Sequence, residues 1–163
     1  MSSLHKRLVL LLVIAGNALF TALIAFGNIS DYATNFEFVK HVLSMDTIFE
    51  NSTIKYRAIT HNGVHHVAYI FIIGLEIAMA YLFLSSAVQL FAHLKHEKDA
   101  FNAAKKNAFI GVGLGISLWF IGFTVVGGEW FGMWQSLSWN GLETAGRITT
   151  LFMLTYLALI VVD

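Results

Sequence analysis

Glu76 is the one charged residue in the apolar run from Val64 to Leu94. A charge at the centre of a bilayer costs at least about 2.5–3.5 kcal/mol on insertion scales. Counted from Val64 at 1.5 Å per residue, Glu76 falls about 18 Å along a helix, near the bilayer midplane. Either it carries a proton, or a polar group facing the bundle interior pairs with it. Asn17, Ser117 and Thr155 reach similar depths in other apolar runs and could each supply a hydrogen bond. Two chemistries follow: a proton or ion relay, and a polar latch that fixes helix register. A single carboxylate with no second acid or base at its depth makes a poor pathway, which favours the latch.

His61, His65, Tyr69 and Glu76 fall within about 80° on one helical face, at 100° per residue. His61 and His65 are spaced i, i+4, so two imidazoles could share one copper or zinc ion. His65 could also serve as one axial ligand of a b-type haem. Neither site has a clear third ligand or a matching axial histidine, so no metal is expected there. His66 points elsewhere. His93 and His96 sit among lysines, where interfacial solvation accounts for them.

A third group is Glu129, Trp130, Trp134, Gln135 and Arg147. If the helix before it continues through Gly127 and Gly128, Glu129 extends the face that carries Gly111, Gly115 and Gly122. It then meets Arg147, with Glu143 nearby. A Glu129–Arg147 ion pair would be a staple whose loss could cost about 3–5 kcal/mol. With Gln135 and Asn140 the same cluster could hold a polar headgroup or a quinone-like ligand. Ion pairing answers the charge burial without a ligand and is the simpler expectation. No motif supports nucleophilic catalysis: G-x-S-x-G, H-E-x-x-H, the P-loop and the dinucleotide fingerprint are all missing. The "GVGLG" string lies inside an apolar run rather than after a soluble strand, so it is no phosphate loop.

The elements that position these residues are written in the composition. Of 163 residues, 57% are apolar and 12% charged, against about 45–50% and about 25% in a soluble domain. Ten Lys+Arg balance ten Asp+Glu, so no net field steers the chain toward nucleic acid. Without cysteine there is no disulfide or thiolate chemistry, and without proline no proline kink. Four apolar runs, about 8–29, 64–94, 107–128 and 142–162, are long enough to cross a bilayer as helices, the last with Arg147 snorkelling. The first begins with Lys6-Arg7 but is too long for a signal-peptide core and lacks a small-x-small cleavage site, so it reads as a retained span.

Between the spans lie outer loops 30–63 and 129–141 and an inner loop 95–106. Lys6, Arg7, Lys95, Lys98, Lys105 and Lys106 fall in two short segments on one side, which predicts that both termini are cytoplasmic. In the first outer loop, Ser30 can cap a helix over Asp31–Met45 with Phe36, Val39, Val42 and Leu43 in an apolar stripe. The tryptophans of the second read as an interface belt or a short re-entrant turn. Ala15, Ala18, Ala22 and Ala25, and Gly111, Gly115 and Gly122 within about 40° of one another, form small-residue seams suited to close helix packing.

The strings "NISDYATNFEFVKHVLSMD", "AAKKNAFIGVGLGISLWFIGF" and "GGEWFGMWQSLSWNG" resemble a bacterial family of predicted small integral membrane proteins, a domain of unknown function. The resemblance covers nearly the whole chain and is most specific from Gly127 to Gly141. It implies a four-span fold in the inner membrane and no activity or assigned site. The plan of four spans with a long first outer loop is also similar to claudin-like proteins, without the cysteine pair usual in their loops.

Together these readings predict one all-α domain: a membrane bundle of four helices with cytoplasmic termini and a partly helical first outer loop. A non-enzymatic accessory or scaffolding subunit, docking to itself or to another membrane protein, is the first expectation. A small proton-coupled transporter or channel using Glu76 is the second, and a metal- or haem-binding redox protein using His61 and His65 the third. Bound lipid is expected, no cofactor is, and nucleic acid is no partner.

Overall fold

The structure, a computed structural model, describes residues 3–162. Those residues form helices and connecting turns, with no strand among them. Helix α1 spans Ser3–Ser30, α2 Tyr32–Ser44, α3 Asn62–Ala92, α4 Lys98–Ala103, α5 Lys106–Ile116 and α6 Leu142–Val161. From Ser117 to Trp130 the chain runs on from α5 in a wider π winding. Four segments are long and apolar enough to cross a membrane: Ser3–Ser30, Asn62–Ala92, Lys98–Trp130 and Leu142–Val161.

α1 packs on α3, α3 on α5, and α5 with its π continuation on α6. In α1 the inward stripe is Leu10, Ile14, Asn17, Ala18, Thr21 and Ala25, recurring every three or four residues. Leu12, Leu19, Leu23 and Phe26 point outward, as a helix in lipid allows. The expected alanine seam is therefore split: Ala18 and Ala25 are buried, whereas Ala15 and Ala22 are exposed.

The glycine seam also departs from its expected form. Phe83 and Phe152 stack with centroids 5.8 Å apart, and Trp119 lies on Phe152 at 5.4 Å. A Cβ on Gly111 would sit 3.1 Å from the Phe83 ring, and one on Gly115 2.8 Å from the Phe152 ring. These two glycines make room for ring faces. Gly122 does not join them, because its nearest neighbours belong to its own segment, the Ser117 carbonyl and the Leu118 side chain. The reason is the winding. Thr124 Oγ1 and the Phe131 amide each donate to a carbonyl five residues back, Trp119 and Val126. A face reckoned at 100° per residue is lost beyond Ser117.

Both ends of the bundle's basic side are sealed by buried cations. Arg7 donates to the carbonyls of Leu94 and His96 at 3.1 and 2.7 Å, where α3 ends, and its guanidinium lies 4.4 Å over the Phe101 ring. Lys105 donates to the carbonyls of Leu159 and Val162 at the end of α6. A cation at a helix carboxyl end meets unpaired carbonyls and the negative pole of the helix. The two contacts flank one ring, Phe101, so residues 7 and 162 lie at the same end of the bundle.

α2 lies across the opposite end. Ser30 does not cap it; that residue belongs to α1 and donates to the Gly27 carbonyl, while Asp31 occupies the cap position without a side-chain bond. Met45 closes α2 in the left-handed conformation, φ 52°. Phe36 and Val39 bury against Tyr69 and Ile73 of α3. Beyond α2 the chain descends through Met45 and Ile48, which pack on Phe131.

Candidate functional site

α1 ends at Ser30, but α3 continues well past it. About 24 Å of α3 runs from Glu76 to its inner end at Ala92, and about 21 Å lies beyond it toward α2. Its neighbour on α1 is Asn28, in the last turn of that helix. The acid thus sits level with the last turn of α1 although it lies midway along α3. The overhang of α3 explains the difference.

Glu76 is only 3% exposed. Asn28 Nδ2 donates to both of its carboxylate oxygens, at 3.0 and 2.8 Å. Tyr69, two turns earlier on α3, donates its hydroxyl to the Asn28 carbonyl at 3.1 Å, which fixes the strand of contacts between α1 and α3. None of the expected partners reaches the acid. Asn17 donates instead to Thr155 at 3.0 Å and to the Val13 carbonyl, tying α1 to α6 nearer the basic end. Ser117 is exposed and bonds the Gly113 carbonyl of its own helix.

Glu76 forms part of the wall of a cavity of about 410 Å³. Asn28, Asn35, Tyr69, Asn140 and Thr144 add polar groups, and Phe38, Trp119 and Phe123 add aromatic faces. α2 closes its outer side through Asn35, Phe38 and Val39. A second cavity of about 500 Å³ lies between α2, α3 and the π segment, with almost wholly apolar walls. Phe38, Val39, Ile72 and Phe123 line both. Cavities of some 300–1,000 Å³ with apolar walls and a few convergent polar groups are the usual form of a small-molecule site. Sequence reading missed Asn28, Asn35 and Thr144. A carboxamide in the last turn of an uncharged run was a usable signal, but which part of α3 it would face could not be counted from one run.

The outer-face cluster comes apart. Glu129 and Arg147 are both exposed and form no ion pair with each other, nor does Glu143 join them. The π winding turns Glu129 off the face it was assigned to. Gln135 is buried in a short 3₁₀ turn, Met133–Gln135, under the first outer loop, where Ser136 bonds Thr47 at 2.8 Å. That turn needs Gly132 at φ +66°, a conformation that favours glycine. Trp130 and Trp134 stay half-exposed: Arg57 lies 4.6 Å over Trp130, and Phe49 meets Trp134 edge-on. Trp139 stacks on His41 at 4.5 Å.

His61 and His65 sit in different surroundings. His61 is exposed at the start of α3, whereas His65 is buried and donates Nε2–H to the Ile59 carbonyl at 2.7 Å. Among the described residues no three of His, Cys, Asp and Glu converge as a metal would require. His66 instead bonds the Tyr32 hydroxyl at 2.8 Å and stacks 4.1 Å from Phe36, holding α2 on α3. On α2 the Lys40 ammonium donates to Glu37 and holds its carboxyl below the ordinary value of 4.5.

Four apolar helices long enough to span a bilayer, with irregular backbone gathered at their ends, define a small multi-span integral membrane protein. The chain belongs to the family described as predicted small integral membrane proteins (DUF2165), whose model matches residues 6–162. No curated protein and no solved structure matches the chain.

Proposed function

We propose that this is a non-enzymatic binding protein of the bacterial inner membrane that takes up a small molecule beside Glu76. One observation carries the reading: a carboxylate only 3% exposed forms part of the wall of a ligand-sized cavity and accepts both its side-chain hydrogen bonds from the neutral amide of Asn28. A charge that only latched two helices would need no space beside it. Among the described residues the cavity's other titratable group is Tyr69. A lone carboxylate and a phenol suit holding a ligand better than transferring a group. The cytoplasmic side is assigned to the end with Lys6, Arg7, Lys95, Lys98, Lys105 and Lys106, by the bias of basic residues.

Native mass spectrometry of protein released from its own membrane tests this. The wild-type chain is expected to carry an added small mass that Thr144→Trp, which fills the cavity, abolishes. Identical unliganded spectra from both would overturn the reading, provided each retains its helical circular dichroism.

A second reading, an accessory subunit docking to itself or to another membrane protein, rests on a different observation. Leu137 is fully exposed, and Phe49, Trp130 and Trp134 are about half-exposed nearby on the outer loops. Aromatic anchors of this kind are common at protein interfaces. Sizing in mild detergent distinguishes it: a shift to monomer on Leu137→Ser with Trp134→Ser supports docking, and a wild-type monomer counts against it.

A further inference from the structure

We propose that the ligand of the Glu76 cavity is a lipophilic organic cation, its charge at Glu76 and its apolar body against Phe38, Trp119 and Phe123. The inference rests on the binding reading above and adds the sign of the ligand.

Charge balance points to it. Among the described residues, no lysine or arginine lines either cavity. Arg7 and Lys105 are engaged at the far end of the bundle. Lys40 is bound to Glu37, Arg57 to the Trp130 carbonyl, and Arg147 is exposed. Glu76 accepts from the neutral amide of Asn28 at both oxygens, and an ionised carboxylate in low dielectric is stable only when paired.

The walls suit an organic cation rather than a metal ion. Aromatic faces attract a positive charge by about 0.5–2 kcal/mol each, more when water is excluded. Phe38, Tyr69, Trp119 and Phe123 line the same cavity as the acid. A divalent metal ion is best held by several charged or imidazole ligands, and among the described residues no three of His, Cys, Asp and Glu converge. An anionic or phosphate-bearing head finds carboxamides and a hydroxyl but no cation to answer its charge. The adjoining apolar cavity, sharing Phe38 and Phe123, can take a hydrophobic extension of the same molecule.

The test uses the full chain reconstituted in phosphatidylcholine nanodiscs, with equilibrium binding of radiolabelled tetraphenylphosphonium. Tetraphenylborate, nearly the same shape with the opposite charge, is measured separately. Protein-dependent, saturable binding of the phosphonium and none of the borate is expected. Glu76→Gln should weaken phosphonium binding by about tenfold or more, while Glu76→Asp keeps most of it. Equal binding of both ions, or borate alone, overturns the cation assignment and leaves the binding reading standing. So does phosphonium binding unchanged in Glu76→Gln. Absence of binding by either probe, together with unliganded native spectra, overturns both. Should Glu76→Gln fail to fold, the comparison of the two ions on wild-type protein decides.

Discussion

Asn28 holds both carboxylate oxygens of Glu76 with a single amide nitrogen, at 3.0 and 2.8 Å, across the interface of α1 and α3. The bond joins the end of one helix to the middle of another. Removing the donor leaves a buried acceptor unsatisfied, at a cost of about 1–3 kcal/mol. Asn28→Leu should therefore lower the unfolding free energy by that amount in a detergent titration. In a Glu76→Leu background the same change should cost far less. Equal losses in both backgrounds would show that the two side chains are not coupled.

Asn17 and Thr155 make a second polar contact, α1 to α6, at 3.0 Å. Hydrogen bonds between membrane helices average about 0.6 kcal/mol. Thr155→Val is expected to cost about that much, and Ser117→Ala, at an exposed site, close to nothing. A larger loss at Ser117 than at Thr155 would contradict the placement.

Helices and their apolar faces were legible because lipid imposes a simple rule: long uncharged runs must be helical. Glu76 was legible for the same reason, as the one charge inside such a run. Its partner was not, because nothing in the sequence reveals that α3 outruns α1 and carries α2 on its overhang. Asn28 was passed over on that account. The fates of Gly122 and Glu129 were hidden by the π winding, since face arithmetic assumes 3.6 residues per turn. Arg7 and Lys105 were read as signposts of membrane side. Their burial against helix ends involves Phe101, which is one turn from Lys105 but 94 residues from Arg7.

Gly115 and Gly113 should respond oppositely to alanine. A methyl at Gly115 meets the Phe152 ring at 2.8 Å, whereas at Gly113 nothing lies within 4 Å. Gly115→Ala should destabilise by about 1–3 kcal/mol through overpacking. Gly113→Ala should be neutral or stabilising by up to about 1 kcal/mol, from helix propensity. Parallel thermal melts of the two variants check the contrast.

Lys105→Met deprives the last carbonyls of α6 of their donor. A loss of about 1–3 kcal/mol is expected, against at most about 0.5 kcal/mol for Lys106→Met at its exposed neighbour position. Hydrogen exchange in the final turn of α6 should rise in the first variant only; equal exchange in both would refute the capping role.

Lys40 holds the Glu37 carboxyl below its ordinary 4.5, chiefly by a hydrogen bond. A carboxyl lowered on folding adds stability above its unfolded value and loses it as pH falls through the folded one. Hydrogen exchange in α2 should therefore accelerate below about pH 4.5 in the wild type, and Glu37→Gln should flatten that response. An unchanged profile in the variant would remove Glu37 as the source.

The π segment leaves the third span with slack. Chain wound with bonds to the fifth residue back holds more residues per turn than an α-helix, so it can give up residues by tightening toward ordinary winding. A one-residue deletion in α3 would swing everything beyond it by about 100°. Length variation among related chains is thus most easily absorbed between residues 117 and 130, against the cavity wall formed by Trp119 and Phe123.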